Sequence, residues 1–213
     1  MIRLTAAEMS SLWIQYLNDT VSICVNSHFL RKVEDEEVRP VIEFALNTSL
    51  RNISFLQELF NKEDFPIPIG FTEEDVNSDA TRLFSDTFVL MYLRQMSILA
   101  MAANASAIGI VTREDIVDFH KGVLKASIDI QDQTRLLMLK QGTYVRTPYI
   151  STPDVVDFVE KQQFLAGFFG KKRSLTSVEV THLFMNVQTN AIGKALITGF
   201  AQIAQHEEIK QFF

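Results

Sequence analysis

The 213-residue chain has few of the sequence features of secreted, membrane and redox proteins, which are cysteines, long apolar runs and signal peptides. It contains one cysteine, Cys24, which excludes an intramolecular disulfide framework and favours a reducing compartment. Because Cys24 lies in an apolar stretch, VSICV, we expect a buried structural thiol and no nucleophile. No window approaches the roughly 20 unbroken apolar residues of a membrane span, and the N-terminus lacks the regions of a signal peptide. These absences predict a cytoplasmic protein without a membrane span.

Positive charge and catalytic motifs are scarce as well. The formal net charge is -6, and no basic stripe is present that could neutralise a phosphate backbone. The dense basic run from Lys171 to Arg173 is typical of a solvated loop before a helix. Neither a glycine-rich phosphate loop nor a Gly-x-Ser-x-Gly elbow occurs. The sequence therefore predicts no nucleic-acid partner and favours a protein without enzymatic activity.

Glycine and proline number only eight and five, so long segments contain no helix breaker. In these segments apolar residues recur at three- and four-residue spacing, which is typical of helices that bury one face. Four long helices are predicted: the first covers 5–33, the second runs from the acidic turn at 34–37 to about 62, and the third and fourth cover 82–109 and 112–141. A shorter fifth helix is predicted to begin at Thr152 and Pro153 and to end at Gly170.

The connection between the second and third helices, Phe65 to Ala80, contains two prolines and a glycine and is too long for a tight turn. Two helix pairs joined by one long connection predict an all-α, ferritin-like four-helix bundle. The alternative, an irregular helical array, fits helices of this length less well. The third helix is rich in alanine and should be the most buried element. Thr112 is predicted to cap the fourth helix, and Gly142 is predicted to end it.

An internal repeat relates the two ends of the chain at a shift of 171 residues. The capping pattern Thr5-x-x-Glu8 recurs as Thr176-x-x-Glu179, and the match continues without a gap through the following helix. The repeat predicts a bundle at 1–145, a linker with a short helix at 146–174, and the first helix of an incomplete second bundle at 175–213. Because this last helix has apolar residues that need burial, we expect it to pack on its own bundle or to join two copies of the chain. The expected homo-oligomer contacts are Leu183, Phe184, Leu196 and Phe200.

Several phrases of the sequence carry a resemblance to a known family. They are LTAAE, LTSVE, FPIPIGFTEEDVN, RLFSDTF, REDI and FVEKQQFLAGFFGKKRSLTSVE. With them, essentially the whole chain resembles an uncharacterised, domain-of-unknown-function family of Bacillus-type spore formers. The resemblance implies a ferritin-like fold, usually built as two tandem four-helix bundles, and a distant likeness to small spore-coat proteins. It implies no catalytic residue, and this chain departs from it by lacking most of the second bundle.

A ferritin-type di-iron or di-manganese site needs a glutamate from each of two helices and a Glu-x-x-His motif from each of the other two. The first four predicted helices contain no Glu-x-x-His. The weak candidates for metal ligands are Asp19, Glu43, Asp86 and Asp129. Glu179 and His182 do form a Glu-x-x-His, but Thr176 makes Glu179 part of a capping box, so this pair indicates a helix start. No metal site is favoured, and iron or manganese is kept as the alternative cofactor.

Asp86 interrupts a very apolar segment, and a carboxylate that is buried there must be paired or hydrogen-bonded. Arg51, Arg94 and Arg135 are the expected partners. A structural ion pair or an exposed position at a helix start is therefore the predicted role of Asp86.

The sequence supports one function and leaves two alternatives open. The favoured one is a non-enzymatic structural or interaction protein of sporulation or stress physiology, which self-associates through its C-terminal helices. The first alternative is a carboxylate-type metal-binding protein of the ferritin-like class. The second is a carrier of a small ligand, with its pocket along the aromatic and alanine-rich faces of the third helix.

Overall fold

The computed structural model describes residues 2–77, 79–156, 158 and 173–212. Within these residues the fold is helical and contains no β-strand, which confirms the predicted all-α class. The helices are α1 (Ala6–Lys32), α2 (Arg39–Lys62), α3 (Asp86–Ile108), α4 (Glu114–Lys140), α5 (Ser177–Ile203) and α6 (Glu207–Phe212). The chain divides into two compact units, Met1–Tyr144 and Val145–Phe213. The first unit contains α1 to α4, and the second contains α5 and α6.

Local signals set the helix ends in the first unit. The Thr5 hydroxyl accepts the N–H of Glu8, and the Glu8 carboxylate accepts the N–H of Thr5 at 2.8 Å, which completes a capping box at the start of α1. Pro40 lies in the first turn of α2, where an N–H group is not needed. Gly142 follows α4 with a φ of 70°, in the left-handed region that favours glycine. The predicted extents of α1 and α2 and the predicted end of α4 are confirmed.

Two polar clusters show in which direction the four helices run. At one end of the unit, the Asp86 carboxylate at the start of α3 accepts the N–H groups of residues 34 and 35, between α1 and α2. At the other end, the Glu8 carboxylate at the start of α1 accepts the N–H groups of residues 112 and 113, between α3 and α4. Helices α1 and α4 therefore run in one direction and α2 and α3 in the other. The connection 63–85 returns along the length of the bundle.

The predicted partners of Asp86 are wrong. Asp86 is the first residue of α3 and pairs with Arg82, whose Nη2 lies 2.8 Å from Oδ1 of Asp86. The helix begins there, and not at Arg82, because the Ser85 hydroxyl caps it by accepting the N–H of Phe88. The three arginines expected as partners bond elsewhere: Arg51 to Thr48, Arg94 to Tyr144 and Arg135 to Asp132.

The connection 63–85 packs closely against α1. Phe65 contacts Trp13 edge to face, with ring centroids 6.4 Å apart. Further along, a Cβ atom added to Gly70 would lie 2.6 Å from Cγ2 of the buried Thr20. A side chain at position 70 therefore does not fit unless the connection moves away from α1.

Cys24 on α1 is part of the same contact. Its half-buried thiol donates to the carbonyl oxygen of Thr72, with Sγ and O 3.4 Å apart. Burial raises the pKa of the Cys24 thiol, and the carboxylates of Asp75 and Glu73 raise it further. The sequence predicts a buried thiol at this position, and the structure places Cys24 half-buried between α1 and the connection.

We expect Gly70→Ala to lower the free energy of unfolding by about 1–3 kcal/mol, the usual effect of an extra methyl group in a packed site. Urea unfolding followed by circular dichroism measures it. The matched control is Gly122→Ala on α4, because a Cβ there meets nothing within 4 Å and alanine is the better helix former. Adding Thr20→Ala should recover most of the lost stability. A Gly70→Ala protein as stable as Gly122→Ala would show that the connection does not pack as described.

The core of the first unit consists of two apolar clusters at opposite ends. One lies near the turn between α1 and α2 and includes Phe29 and Leu90. The other lies near the start of α1 and the end of α2 and includes Leu12 and Phe60. Between these two clusters, the middle of the bundle also contains buried polar residues, among them Asp19, Asn26 and Asn104.

Helix α3 is not the most buried element, contrary to the prediction. Seven of its 23 residues are buried, against eight of 24 in α2, and Leu99 is 52% exposed. Among the helices described, α3 is the one with the length and hydropathy of a membrane span. It nevertheless packs on α4 and α1 and buries Gln95, Ser97 and Asn104, which is the pattern of a bundle helix.

In the second unit, α5 repeats α1. The shift of 171 residues carries the bounds of α1 onto those of α5. Thr176 and Glu179 form the same capping box as at the start of α1, which confirms the predicted helix start. At the other end, the N–H of Ala204 donates to the carbonyl of Phe200, as at the equivalent positions after α1. The predicted fifth helix, 152–170, lies for the most part outside the described residues.

Candidate functional site

One face of α1 carries polar residues at spacings of three and four residues. They are Glu8, Ser11, Gln15, Asp19, Ser22 and Asn26. This spacing places them on a single face of the helix, and the burial of Glu8, Asp19 and Asn26 shows that the face points into the bundle. A search for apolar residues alone misses this face, although the spacing of its polar residues is visible in the sequence.

A chain of hydrogen bonds crosses the bundle and ends at Asp19. Burial lowers the pKa of His120, so its imidazole is neutral. The ring atom Nε2 of His120 lies 3.0 Å from the Ser11 hydroxyl, and Nδ1 lies 2.8 Å from Oδ1 of Asn104. The Asn104 amide faces Oε1 of Gln15 at 3.4 Å. Gln15 in turn donates from Nε2 to Oδ2 of Asp19 at 2.7 Å. Neutral side chains from α1, α3 and α4 thus lead to one carboxylate.

Asp19 is 5% exposed, and its hydrogen-bonding partners are uncharged. Its Oδ2 accepts hydrogen bonds from Gln15 and from Nδ2 of Asn52, the latter at 3.1 Å. Burial raises the pKa of Asp19 to about 6, although hydrogen bonds from Gln15, Ser49 and Asn52 oppose the shift. Asp19 is therefore a carboxylate that changes charge near neutral pH in the middle of the protein.

A cavity of about 350 Å³ lies beside Asp19, between the four helices of the first unit. Its polar lining includes Gln15, Asn18, Asp19, Ser22, Asn26, Thr48, Ser49, Asn52, Ser97, Asn104 and Ser127. Its apolar lining includes Val21, Ala45, Tyr92, Leu93, Met96, Leu99, Ala100, Ala103, Val123 and Ile130. The stretch of α3 from Tyr92 to Asn104 forms one wall, which is the place where the sequence puts the pocket of a small-ligand carrier.

The structure does not bring the four weak metal-ligand candidates together. Asp19 lies in the cavity, whereas Asp86 lies at one end of the bundle. Glu43 is exposed on α2, and Asp129 pairs with Lys125 on α4, with Nζ and Oδ2 3.1 Å apart. Among the described residues, no group of three or more histidine, cysteine, aspartate or glutamate side chains is placed to hold a metal ion.

Glu8 joins the start of α1 to the turn before α4. One carboxylate oxygen serves the capping box, and the other accepts the N–H groups of Thr112 and Arg113, each at 2.9 Å. Burial raises the pKa of Glu8, but these hydrogen bonds outweigh burial and lower it to about 2. The predicted capping role of Thr112 is wrong, because its hydroxyl donates to Glu8 and Arg113 is the residue that precedes α4.

The Glu-x-x-His motif of Glu179 and His182 lies in the first turns of α5, and Glu179 belongs to the capping box, as the sequence predicts. Arg173 holds Glu179 with two hydrogen bonds of 2.7 and 2.8 Å. The Arg173 side chain and the N–H of Thr176 lower the pKa of Glu179 to about 2. His182 is exposed.

Comparison with known proteins agrees with the family resemblance of the sequence. The family described as Protein of unknown function (DUF3231) matches residues 1–156 and 163–213. Among solved structures, a protein from Bacillus halodurans C-125 named "putative spore coat protein" is 18% identical in sequence, with a TM-score of 0.63. The match covers 71% of this chain and 98% of that one. At this identity the likeness shows the fold alone.

No curated protein matches the chain. The family match, however, extends over nearly the whole sequence, in two segments separated by six residues. The chain therefore belongs to the family of proteins of unknown function DUF3231.

Proposed function

We propose that this protein is a non-enzymatic structural or interaction protein of sporulation, which acts in the cytoplasm and self-associates through α5. The fold that it shares with a Bacillus protein named for the spore coat supports the setting. The net charge of -6 supports a protein partner over a nucleic acid. The proposal also takes the chain to be ferritin-like, with α5 as the first helix of a second bundle.

The exposure of α5 is the observation that carries the proposal. Leu12 and Phe29 of α1 are 0% and 5% exposed, whereas their equivalents in the repeat, Leu183 and Phe200, are 51% and 43% exposed. Burying a leucine or phenylalanine stabilises a protein by about 1.5–3 kcal/mol relative to leaving it in water. Helix α5 thus carries core residues of a bundle helix on a surface that another helix can cover.

The partner that we propose for this surface is a second copy of α5. Leu196, one turn before Phe200, is half-buried and lies on the same face, and Phe184 is half-buried as well. The positions equivalent to Ser22 and Asn26 are Gly193 and Ile197 in α5, so the second half of the helix lacks the polar interior of α1. A Cβ added to Gly193 would meet nothing within 4 Å, which leaves room for a neighbouring backbone. Two such helices related by a twofold axis would bury the same residues in both copies.

Sedimentation equilibrium of the full chain tests the self-association. We expect a mass of twice the 24.3 kDa of one chain. The double variant Leu183→Glu/Phe200→Glu should sediment as a monomer, since each partner would have to bury two carboxylates. The control is Leu136→Glu, which changes a leucine of the first unit that is 54% exposed and should leave the dimer intact. A monomeric wild-type chain, or a dimer lost equally in both variants, would disprove the role of α5.

A further inference from the structure

Asn26 has a buried acceptor that no described residue satisfies. The residue is 3% exposed and lines the cavity, and its Nδ2 donates to the Ser22 hydroxyl at 2.9 Å. Its Oδ1 has no hydrogen-bond partner among the described residues. Leaving such a group unsatisfied costs about 1–3 kcal/mol, so this oxygen favours a ligand that donates a hydrogen bond.

Asp19 adds a charge requirement to the same cavity. Among the lining residues it is the only one that carries a charge, and no lysine, arginine or histidine is among them. A buried carboxylate is stabilised by a cation that can also donate hydrogen bonds. The position of Asp19 therefore favours an ammonium group in the ligand.

The separation of these two acceptors sets the length of the ligand. Asp19 and Asn26 are seven residues apart on α1, which corresponds to about 10 Å along a helix. Two hydrogen bonds of about 2.9 Å leave roughly 5 Å between the two donor atoms of the ligand. An extended chain of three carbons between a nitrogen and an oxygen has about this length.

We infer that the cavity binds a small linear amino alcohol, whose ammonium group lies at Asp19 and whose hydroxyl donates to Asn26. The carbon chain would lie along the apolar wall that Leu93, Met96 and Ala100 contribute from α3. A neutral hydroxyl suits the Asn26 end because no second carboxylate lines the cavity. This inference goes beyond self-association and is independent of it, since every lining residue belongs to α1–α4.

The ligand can reach the cavity from one side of the bundle. Asn18 of α1 and Leu99 and Ala103 of α3 line the cavity and are exposed. The lining thus reaches the surface where α1 and α3 are neighbours. Entry there requires no unfolding of the two apolar clusters at the ends of the bundle.

Isothermal titration calorimetry of the full chain with four compounds of equal chain length tests the inference. The probe is 3-aminopropan-1-ol; propan-1-amine lacks the second donor, propane-1,3-diol lacks the charge, and 3-hydroxypropanoate carries the opposite charge. We expect the amino alcohol to bind at least tenfold more tightly than the amine or the diol. We expect no binding of the carboxylate, because Asp19 repels it.

Variants of the two acceptors separate their contributions. Asp19→Asn should weaken binding of the amino alcohol at least tenfold, whereas Asp129→Asn on α4 should leave it unchanged. Asn26→Leu should reduce the affinity for the amino alcohol to that for propan-1-amine and leave the affinity for the amine unaffected. No binding heat up to about 10 mM, which corresponds to a very weak complex, would overturn the inference. Equal binding of the carboxylate, or unchanged binding by Asp19→Asn, would overturn it as well.

Discussion

Glu8→Gln should lower the free energy of unfolding of the first unit by about 3 kcal/mol, the range found when a buried charged network loses one member. The wild-type carboxylate accepts hydrogen bonds on both oxygens, from Thr5 on one side and from Thr112 and Arg113 on the other. Glutamine has one oxygen and one amide nitrogen, so one of these two sets of donors must face another donor. The start of α1 or the turn before α4 then loses its hydrogen bonds.

Urea unfolding at pH 7 measures this loss, and Thr5→Ala is the control within the same unit. Thr5→Ala removes the hydroxyl of the capping box but leaves the Glu8 bonds to residues 112 and 113, so we expect a loss of about 1 kcal/mol. If Glu8→Gln destabilised the protein no more than Thr5→Ala, the connection between α1 and the turn would contribute nothing.

The pH dependence of the same variant has a definite sign. The pKa of Glu8 is lowered in the folded state from 4.5 to about 2. Its contribution to stability is therefore present above pH 4.5 and is lost as the pH falls toward 2. Glu8→Gln should lack this part of the acid destabilisation.

The free energy of unfolding of Asp19→Asn, measured relative to that of the wild type, should be about 3 kcal/mol higher at pH 8 than at pH 4. The pKa of Asp19 rises on folding from 3.8 to about 6 because the carboxyl is buried. Between these values the folded state binds a proton that the unfolded state does not, so wild-type stability falls as the pH rises through this window. Asparagine resembles the protonated form and does not titrate.

Urea unfolding of both proteins at pH 4, 5, 6, 7 and 8 tests this prediction. The difference in unfolding free energy should grow between pH 4 and 6 and then remain constant. Asp129→Asn is the control, because it removes a carboxylate that pairs with Lys125 outside the cavity. A pH-independent difference for Asp19→Asn would mean that Asp19 is solvated.

Helix boundaries could be predicted because their signals are local. The Thr-x-x-Glu boxes at Thr5 and Thr176 bring their partners together within one turn. Pro40 and Gly142 act through their own backbone conformations. In each case the deciding contact lies within a few residues of the signal, so the sequence contains all of it.

Partners distant in the sequence could not be predicted in the same way. The Thr112 hydroxyl is able to cap α4, but it donates a hydrogen bond to Glu8, which is 104 residues away in the sequence. Asp86 accepts the N–H groups of residues 34 and 35, because the long connection brings the start of α3 to that turn. Such choices depend on how the four helices are placed, which local patterns do not determine.

The candidate site could be predicted only in part. The polar face of α1 is visible as a spacing of three and four residues from Ser11 to Asn26. Which way that face points cannot be predicted from α1 alone, because apolar residues such as Trp13 occur around the rest of the helix and Trp13 is 38% exposed. The structure adds two amides: Asn52 of α2 donates to Asp19, and Asn104 of α3 donates to Gln15, which itself donates to Asp19.

The cavity and its ligand depend on one feature, a carboxylate buried among neutral amides and hydroxyls in the middle of the bundle. Carbon-13 NMR of the Asp19 carboxyl as a function of pH, assigned by comparison with Asp19→Asn, measures that feature directly. We expect the Asp19 resonance to titrate with a midpoint of about 6. A midpoint at or below 3.8, the value of an unperturbed aspartate, would contradict a buried carboxylate at the centre of the bundle.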